Sequence, residues 1–239
     1  MRIRHLGHSC LAVEAADTRV LVDPGSFSDA EDVLAAGPYD AVAITHQHAD
    51  HVAPALLARV LEASPQALVL AEPQTAAGLR GETELPGGAF EGTLPADRLV
   101  ELPAGSSQRA GGIEVAAVGG DHAVIHPDIP RVGNSGLVLS TPGEPRLGIT
   151  GDSLEEVPEF EGIDVLAFAV VAPWSKMRET IDFLRAVRPG LALPVHDAVV
   201  STQGRTIYIT QSTNLAPEGT EVRDWPEGER VVEVAASER

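Results

Sequence analysis

The stretch Thr45-His-Gln-His-Ala-Asp-His51 decides how this chain is read. Three imidazoles and a carboxylate fall between His46 and His51. Before it runs Tyr39-Asp-Ala-Val-Ala-Ile-Thr45, apolar enough for a strand buried on both faces. After it, Val52, Leu56 and Val60, flanked by Ala53, Leu57 and Leu61, make the wide stripe of a helix packed on a sheet. Pro54 suits only a first turn, so the helix should start near 52–54. The cluster therefore occupies a strand-to-helix loop, where a rigid scaffold commonly carries its chemistry. A solvated loop that happens to hold three histidines is the blander explanation, and this spacing makes it the poorer one.

Working outward, Thr18-Arg-Val-Leu-Val-Asp-Pro24 reads as a strand stopped at Asp23-Pro24. Residues 28–37 read as a short helix with Ser28 as its cap and Gly37 as its stop. Ala67–Ala71 is a further buried strand, and the Gly-, Pro- and Glu-rich residues 81–96 are a long loop or hairpin. The middle of the chain is β-rich, and Asp164–Val171 is a buried strand. Met177, Ile181, Leu184 and Val187 share one face of a helix. Leu191–Asp197 is strand-like, 204–214 is ambiguous between helix and strand, and Arg230–Val234 is β-like. Strands and helices mix along the whole length without a linker or repeat. The expectation is one α/β domain, 1–239, with helices covering its sheets.

Of the eight histidines at 5, 8, 46, 48, 51, 122, 126 and 196, several stand at expected strand ends. His122 follows Gly119-Gly120-Asp121, His196 closes Pro194-Val195, and Asp152 follows Thr150-Gly151. Taken alone, His196 reads as an ordinary satisfied histidine, and Asp152 as equally a turn or cap residue. Together with the 45–51 loop they form a set of imidazole and carboxylate donors that suits zinc, manganese or iron. Cys10 is the only cysteine, which excludes a thiolate-rich structural zinc site and any intrachain disulfide.

Composition narrows the partners. With 35 acidic against 17 basic residues the net charge is −18. Such a surface disfavours nucleic acid and anionic membranes alike. No run has the length of a signal peptide's apolar core or of a membrane span, so a soluble, cytoplasmic protein acting on a small molecule is expected. The sequence does not fix the oligomeric state.

Thr45–His51 matches the H-x-H-x-D-H signature of the metallo-β-lactamase superfamily, and the other motifs follow in that family's order. They are Val20–Pro24 with Asp23, Gly119–His122, Thr150–Ser153 and Pro194–Asp197. The resemblance spans residues 7–197. Gly7-His8-Ser9, His122–Pro130 and Ala172-Pro-Trp174 with Lys176 resemble a branch of small cytoplasmic metal-dependent hydrolases.

The resemblance implies a four-layer αββα sandwich holding two divalent ions, zinc first, with manganese, iron or nickel as alternatives. His46, His48 and His122 would hold one ion, Asp50, His51 and His196 the other, and Asp152 would bridge them. The preceding Gly-Gly-Asp favours His122 over His126. Asp50 and Asp152 would be the catalytic carboxylates. A hydroxide between the ions would attack a small ester, lactone, amide or phosphoester.

Asp23 would orient a ligand histidine, with a plain turn acid as the alternative. His8, His126, Trp174 and Lys176 are candidates for the substrate pocket. Each has an ordinary structural or solvated role as its alternative. An iron-dependent oxidoreductase acting on a sulfur compound or oxygen is the second functional class, and a non-catalytic metal- or ligand-binding module the third. Secreted β-lactamases often carry a cysteine where Asp152 stands, and RNA-processing members add basic surface; this sequence shows neither feature.

Overall fold

The strand pattern of Ala41–Ile44 shows how the molecule is layered. All four residues are buried, with Ala41 and Ala43 in one apolar cluster and Val42 and Ile44 in another. Successive side chains of a strand point to opposite faces, so this strand is covered on both sides.

The computed structural model describes residues 1–235. One sheet contains β1 (Arg2–His5), β2 (Leu11–Ala15), β3 (Thr18–Val22), β4 (Ala41–Ile44), β5 (Leu68–Ala71) and β6 (Leu99–Glu101). The second contains β7 (Ser107–Ala110), β8 (Ile113–Asp121), β9 (Gly133–Ser140), β10 (Leu147–Ile149), β11 (Val165–Ala169), β12 (Leu191–Val195) and β13 (Glu221–Val222). The chain then returns, and β14 (Val231–Glu233) pairs antiparallel with β1 at the outer edge of the first sheet. In the first sheet β1–β3 are antiparallel neighbours, whereas β3–β6 run parallel. The second is a counterpart, with β7–β10 antiparallel and β10–β13 parallel.

Three apolar clusters separate four layers. Between the sheets, Leu11, Val13, Val20 and Val22 meet Val115, Leu137, Leu139, Ile149 and Leu193. Outside the first sheet, α1 (Ala30–Ala35), α2 (Pro54–Ala63) and α3 (Pro73–Leu79) bury Val33, Leu57, Val60 and Ala76 against Leu21, Val42 and Val69. Outside the second, α4 (Met177–Val187) lays Phe183, Leu184 and Val187 on Leu166, Phe168 and Ala192. With α5 (Thr202–Leu215) contributing Tyr208 and Ile209 to the same cluster, the result is the expected αββα sandwich.

The helix ends follow elementary rules. α2 starts at Pro54, where a missing N–H costs nothing. α1 is capped by Asp29, whose carboxylate accepts the Asp32 N–H, one residue later than the expected Ser28. The ambiguous 204–214 segment is helical, with Ser212 its only buried residue among those described. A helix whose apolar contact is limited to the partly buried Tyr208 and Ile209 has little apolar face for a sequence to display.

Phe168 is fully buried between the second sheet and α4. Phe168→Ala should destabilise the protein by about 3–5 kcal/mol in urea denaturation, the cost of an unfilled aromatic site. A loss under about 1 kcal/mol would show that this layer is loosely packed.

Candidate metal centre

At the end of β3 the backbone turns at Asp23, whose φ is +47° and whose side chain is wholly buried. Its Oδ1 accepts the Thr45 N–H at 2.8 Å. Its Oδ2 accepts the Thr45 hydroxyl and the His51 Nδ1–H, each at 2.8 Å. The Thr45 oxygen lies 3.1 Å from His46 Nδ1. Because the hydroxyl's one hydrogen goes to the carboxylate, the His46 ring must donate here. Asp23 thus turns Nε2 of both His46 and His51 toward the facing strand ends of the second sheet. The loop is stitched down by Ser26 N–H to Ala49 O at 2.7 Å and Ala53 N–H to Pro24 O at 2.9 Å. Gly25 is needed for this approach, since a Cβ there would lie 1.8 Å from the Asp50 carbonyl oxygen.

The second sheet supplies the opposing groups. His122 follows β8 and donates Nδ1–H to the Ala123 carbonyl at 2.6 Å. His196 follows β12 and donates Nδ1–H to the Val171 carbonyl at 2.8 Å. Asp152 comes three residues after β10, behind Gly151 at φ +57°. Its N–H is held by Asn134 Oδ1 at 2.9 Å, and its Oδ2 accepts the Trp174 indole N–H at 2.9 Å. A Cβ on Gly151 would come within 2.3 Å of that Asn134 oxygen, so the turn admits only glycine.

These groups converge as two clusters whose candidate donor atoms lie within 4.8 Å of one another. One is His46, His48, His122 and Asp152; the other is His8, Asp50, His51 and His196. Asp152 stands between them. Its Oδ2 lies 3.2 Å from His122 Nε2 and 4.0 Å from His46 Nε2. Its Oδ1 lies 3.0 Å from His51 Nε2 and 3.2 Å from His196 Nε2. His46 Nε2 and His48 Nδ1 are 3.0 Å apart, near the ~3.3 Å expected for two nitrogens on one tetrahedral zinc.

Four buried atoms here, Nε2 of His51, His122 and His196 and Oδ1 of Asp152, have no aligned hydrogen-bond partner. They face one another at close range without the geometry of a hydrogen bond. Buried polar atoms are ordinarily satisfied, so four orphans at one focus fit a cation-binding site. The donor set is three imidazoles and a carboxylate on each side, His46, His48 and His122 with Asp152 and His8, His51 and His196 with Asp50. It suits a pair of divalent ions.

Electrostatics points the same way. Burial, with the charge on His51 adding to it, holds the His46 imidazole well below its ordinary pKa, so it is neutral. Burial would do the same to His51 and His196, but Asp152, with Asp23 beside His51 and Asp50 beside His196, outweighs it. His51 is raised well above its ordinary value and His196 up to about 9. Burial pushes the Asp50 carboxyl up, yet His196 and His8 more than offset that and keep it well below the usual carboxylate range. Without ions, the two imidazolium groups offset part of the charge of Asp23, Asp50 and Asp152. Solvent enters past His48 and Asp50, the half-buried members of the clusters.

Of the other expected site residues, Asp23 and Trp174 contact cluster members directly, and His8 lies in the second cluster. His126 does not join either cluster; its side chain is 60% exposed and its Nδ1 accepts the Asp128 N–H at 3.1 Å. Lys176 is 81% exposed; its ammonium pairs with Glu179 at 2.9 Å, and the same carboxylate accepts the Lys176 backbone N–H at 2.9 Å at the start of α4. Two residues went unforeseen. Thr45 relays the Asp23 hydrogen bond, and Asn134 holds the Asp152 backbone. The available signal for Asn134 was an asparagine inside a strand between Gly133 and Gly136, a place usually given to apolar residues.

A four-layer sandwich with His and Asp donors gathered at its strand ends defines a metallo-β-lactamase fold. The chain belongs to the beta-lactamase superfamily domain family, whose description fits residues 2–196. It is 42% identical over 216 residues to Protein Rv0786c of Mycobacterium tuberculosis, covering 90% of this chain and 92% of that one. It is 33% identical over 213 residues to a UPF0173 metal-dependent hydrolase of Opitutus terrae, covering 82% and 84% of the two chains. Among solved structures, the metallo-beta-lactamase fold protein YhfI of Bacillus subtilis superposes with a TM-score of 0.70 at 15% identity, over 97% of this chain and 98% of that one. CmlA, a diiron beta-hydroxylase from Streptomyces venezuelae, gives a TM-score of 0.65 at 16% identity, over 98% of this chain and 54% of its own. These last two likenesses are of fold.

The metal-free charge state has a measurable consequence. His196 donates Nδ1–H to Val171, so the extra proton it keeps below about pH 9 sits on Nε2. A cation bound there must displace that proton. Binding of zinc to the metal-free protein should release at least one proton near neutral pH. Apparent affinity should climb about tenfold per pH unit per displaced proton as pH rises toward 9. Calorimetry in buffers of different ionisation enthalpy checks this; pH-independent binding would place the ion elsewhere.

Proposed function

We propose that this protein is a metal-dependent hydrolase whose two clusters hold a pair of divalent ions, zinc being the first choice for so many imidazoles. The observation that carries this is the split of Asp152, one oxygen toward His46 and His122 and the other toward His51 and His196. His46, His48 and His122 would hold one ion, Asp50, His51 and His196 the other, with Asp152 shared. Relatives named metal-dependent hydrolases support the reading. When bound, such ions acidify water and polarise a carbonyl or phosphoryl oxygen.

The chain's own groups do the rest. Asp23 and Thr45 lock ring orientations, and Trp174 with Asn134 fixes the Asp152 carboxylate, so the donors are pre-positioned before any ligand arrives. Asp50, the more exposed carboxylate, borders the solvent side, where a substrate would approach. Large apolar side chains stand exposed near the donors. Phe27 packs edge-on to His8, Val124 and Ile125 follow His122, and Val199 follows His196. A small ester, lactone, amide or phosphoester with an apolar substituent fits this surround. The acidic surface favours a small-molecule substrate over nucleic acid or anionic lipid, and among the described residues no helix is long and apolar enough to cross a membrane. A reducing cytoplasm suits the lone, buried Cys10.

The test is hydrolysis by the purified protein across esters, lactones, amides and phosphodiesters. Chelation should abolish turnover, and zinc or manganese should restore it. Asp152→Ala should lose at least one ion and about 100-fold or more in activity while its circular dichroism is unchanged. An active D152A protein would contradict the shared carboxylate. Oxygen consumption with a thiol by the iron-loaded protein, and no hydrolysis with any metal, would move the protein to the oxidoreductases.

A further inference from the structure

His8 shares a cluster with Asp50, His51 and His196, and its ring is nearly inaccessible to solvent. By composition it would serve as a further ligand to the second ion. Its hydrogen bonds run the other way. The Ala198 backbone N–H points at His8 Nδ1 at 3.1 Å. A backbone amide can only donate, so Nδ1 must accept, and in a neutral ring the hydrogen then sits on Nε2. That nitrogen lies 3.2 Å from Asp50 Oδ2, an acceptor. His46, His51, His122 and His196 show the opposite polarity, with Nδ1 facing a hydroxyl oxygen, a carboxylate or a carbonyl and Nε2 turned to the Asp152 carboxylate.

Resting on the two-ion reading above, we infer that His8 is not a metal ligand but a positioning residue, whose Nε2–H holds the Asp50 carboxylate in place for the second ion. Its own placement is over-determined. The His8 carbonyl accepts the His196 N–H at 3.0 Å and the His5 Nε2–H at 2.8 Å, and these bonds hold a backbone φ of +54°. The ring packs 4.1 Å from that of His196 and edge-on to Phe27 at 5.2 Å. A ring fixed from both its backbone and Nδ1 cannot turn to present a lone pair to the cation. The second ion is then held by Asp50, His51, His196 and Asp152 alone, and the place a further imidazole would fill stays available to substrate.

Two variants separate the roles. Asn tolerates positive φ, and in His8→Asn the side-chain oxygen takes the place of Nδ1, keeping the Ala198 bond and losing the donor. In His8→Gln an amide N–H reaches the place of Nε2. Zinc-loaded H8N and H8Q should each keep two ions per chain, as the wild type does. H8N should bind its more weakly held ion about 10-fold less tightly, with H8Q recovering most of the difference. Long-range proton–nitrogen NMR of the wild-type protein should show His8 as the Nε2–H tautomer and His46, His51, His122 and His196 as Nδ1–H.

Loss of one ion from both variants, or a metal-bound His8 Nε2 in the NMR spectrum, would make His8 a ligand and overturn the inference. Unchanged zinc affinity in H8N would equally overturn it. If the wild type itself holds fewer than two ions, the two-ion reading fails. The tautomer in the metal-free protein then decides His8 by itself: Nε2–H supports its bond to Asp50, and Nδ1–H refutes it.

Discussion

One buried carboxylate sets the chemistry of the 45–51 loop. Asp23 accepts three hydrogen bonds, from the Thr45 amide, the Thr45 hydroxyl and the His51 ring, and leaves no acceptor pointing at the donor focus. Through Thr45 it also sets the polarity of His46. Take away that acceptor and His51 is free to exchange its ring nitrogens. The unpaired Thr45 hydroxyl would then be buried at a cost of about 1–3 kcal/mol. A carboxylate wholly inside the protein is itself expensive unless paired and fully hydrogen-bonded. Here the pairing is with an imidazole that burial would otherwise neutralise. Each partner makes the other tenable, and together they hold the loop in one orientation.

The second requirement is that two sheets deliver their strand ends to one place. β3 and β4 of the first sheet bring Asp23 and the 45–51 loop, while β8, β10 and β12 of the second bring His122, Asp152 and His196. The interior between the sheets is almost entirely aliphatic. It sets their separation, and Ser135, on the β9 face that carries Leu137 and Leu139, spends its hydroxyl on the Leu102 carbonyl at 3.2 Å. Direct bonds then cross from one sheet to the other. Ser135 N–H reaches the Thr45 carbonyl at 2.8 Å, and His196 N–H reaches the His8 carbonyl at 3.0 Å. The focus is thus referenced to both sheets by backbone atoms, which do not change rotamer, and the side chains add only the last few ångströms.

What the sequence displayed and what it hid follow from this construction. Strands and helices buried on an apolar face were legible, because their periodicity is the packing: Ala41–Ile44 and Met177–Val187 fall where the pattern puts them. Helix α5 was not, because it buries Ser212 alone and carries β-branched residues that read equally as strand. Donor residue types were legible at 46–51, where the spacing is local. The choice between His122 and His126 was a matter of three-dimensional placement. His122 N–H is tied to the Val132 carbonyl and the next amide to the Asp152 carbonyl, which hold His122 inward, while His126 sits out on the exposed loop. Thr45 and Asn134 were illegible as site residues because each acts through hydrogen bonds to groups distant in the chain. No spacing rule encodes such a contact.

Hydrogen-bond polarity, rather than residue type, sorts the histidines. Six imidazoles crowd the centre, and by composition any of them could hold a cation. Four turn Nε2 to the centre because their Nδ1 faces an oxygen, and these four belong to the two clusters that share Asp152. His8 faces a backbone N–H instead, so its proton lies on the side toward the centre. His48 is half-buried, and its Nδ1 turns toward His46 Nε2 at the solvent entrance. A donor set of this kind is therefore specified less by the ring atoms than by the oxygens and amides behind them. Those come from Asp23, Thr45, Ala123, Val171 and Ala198, residues that carry no donor of their own to the focus.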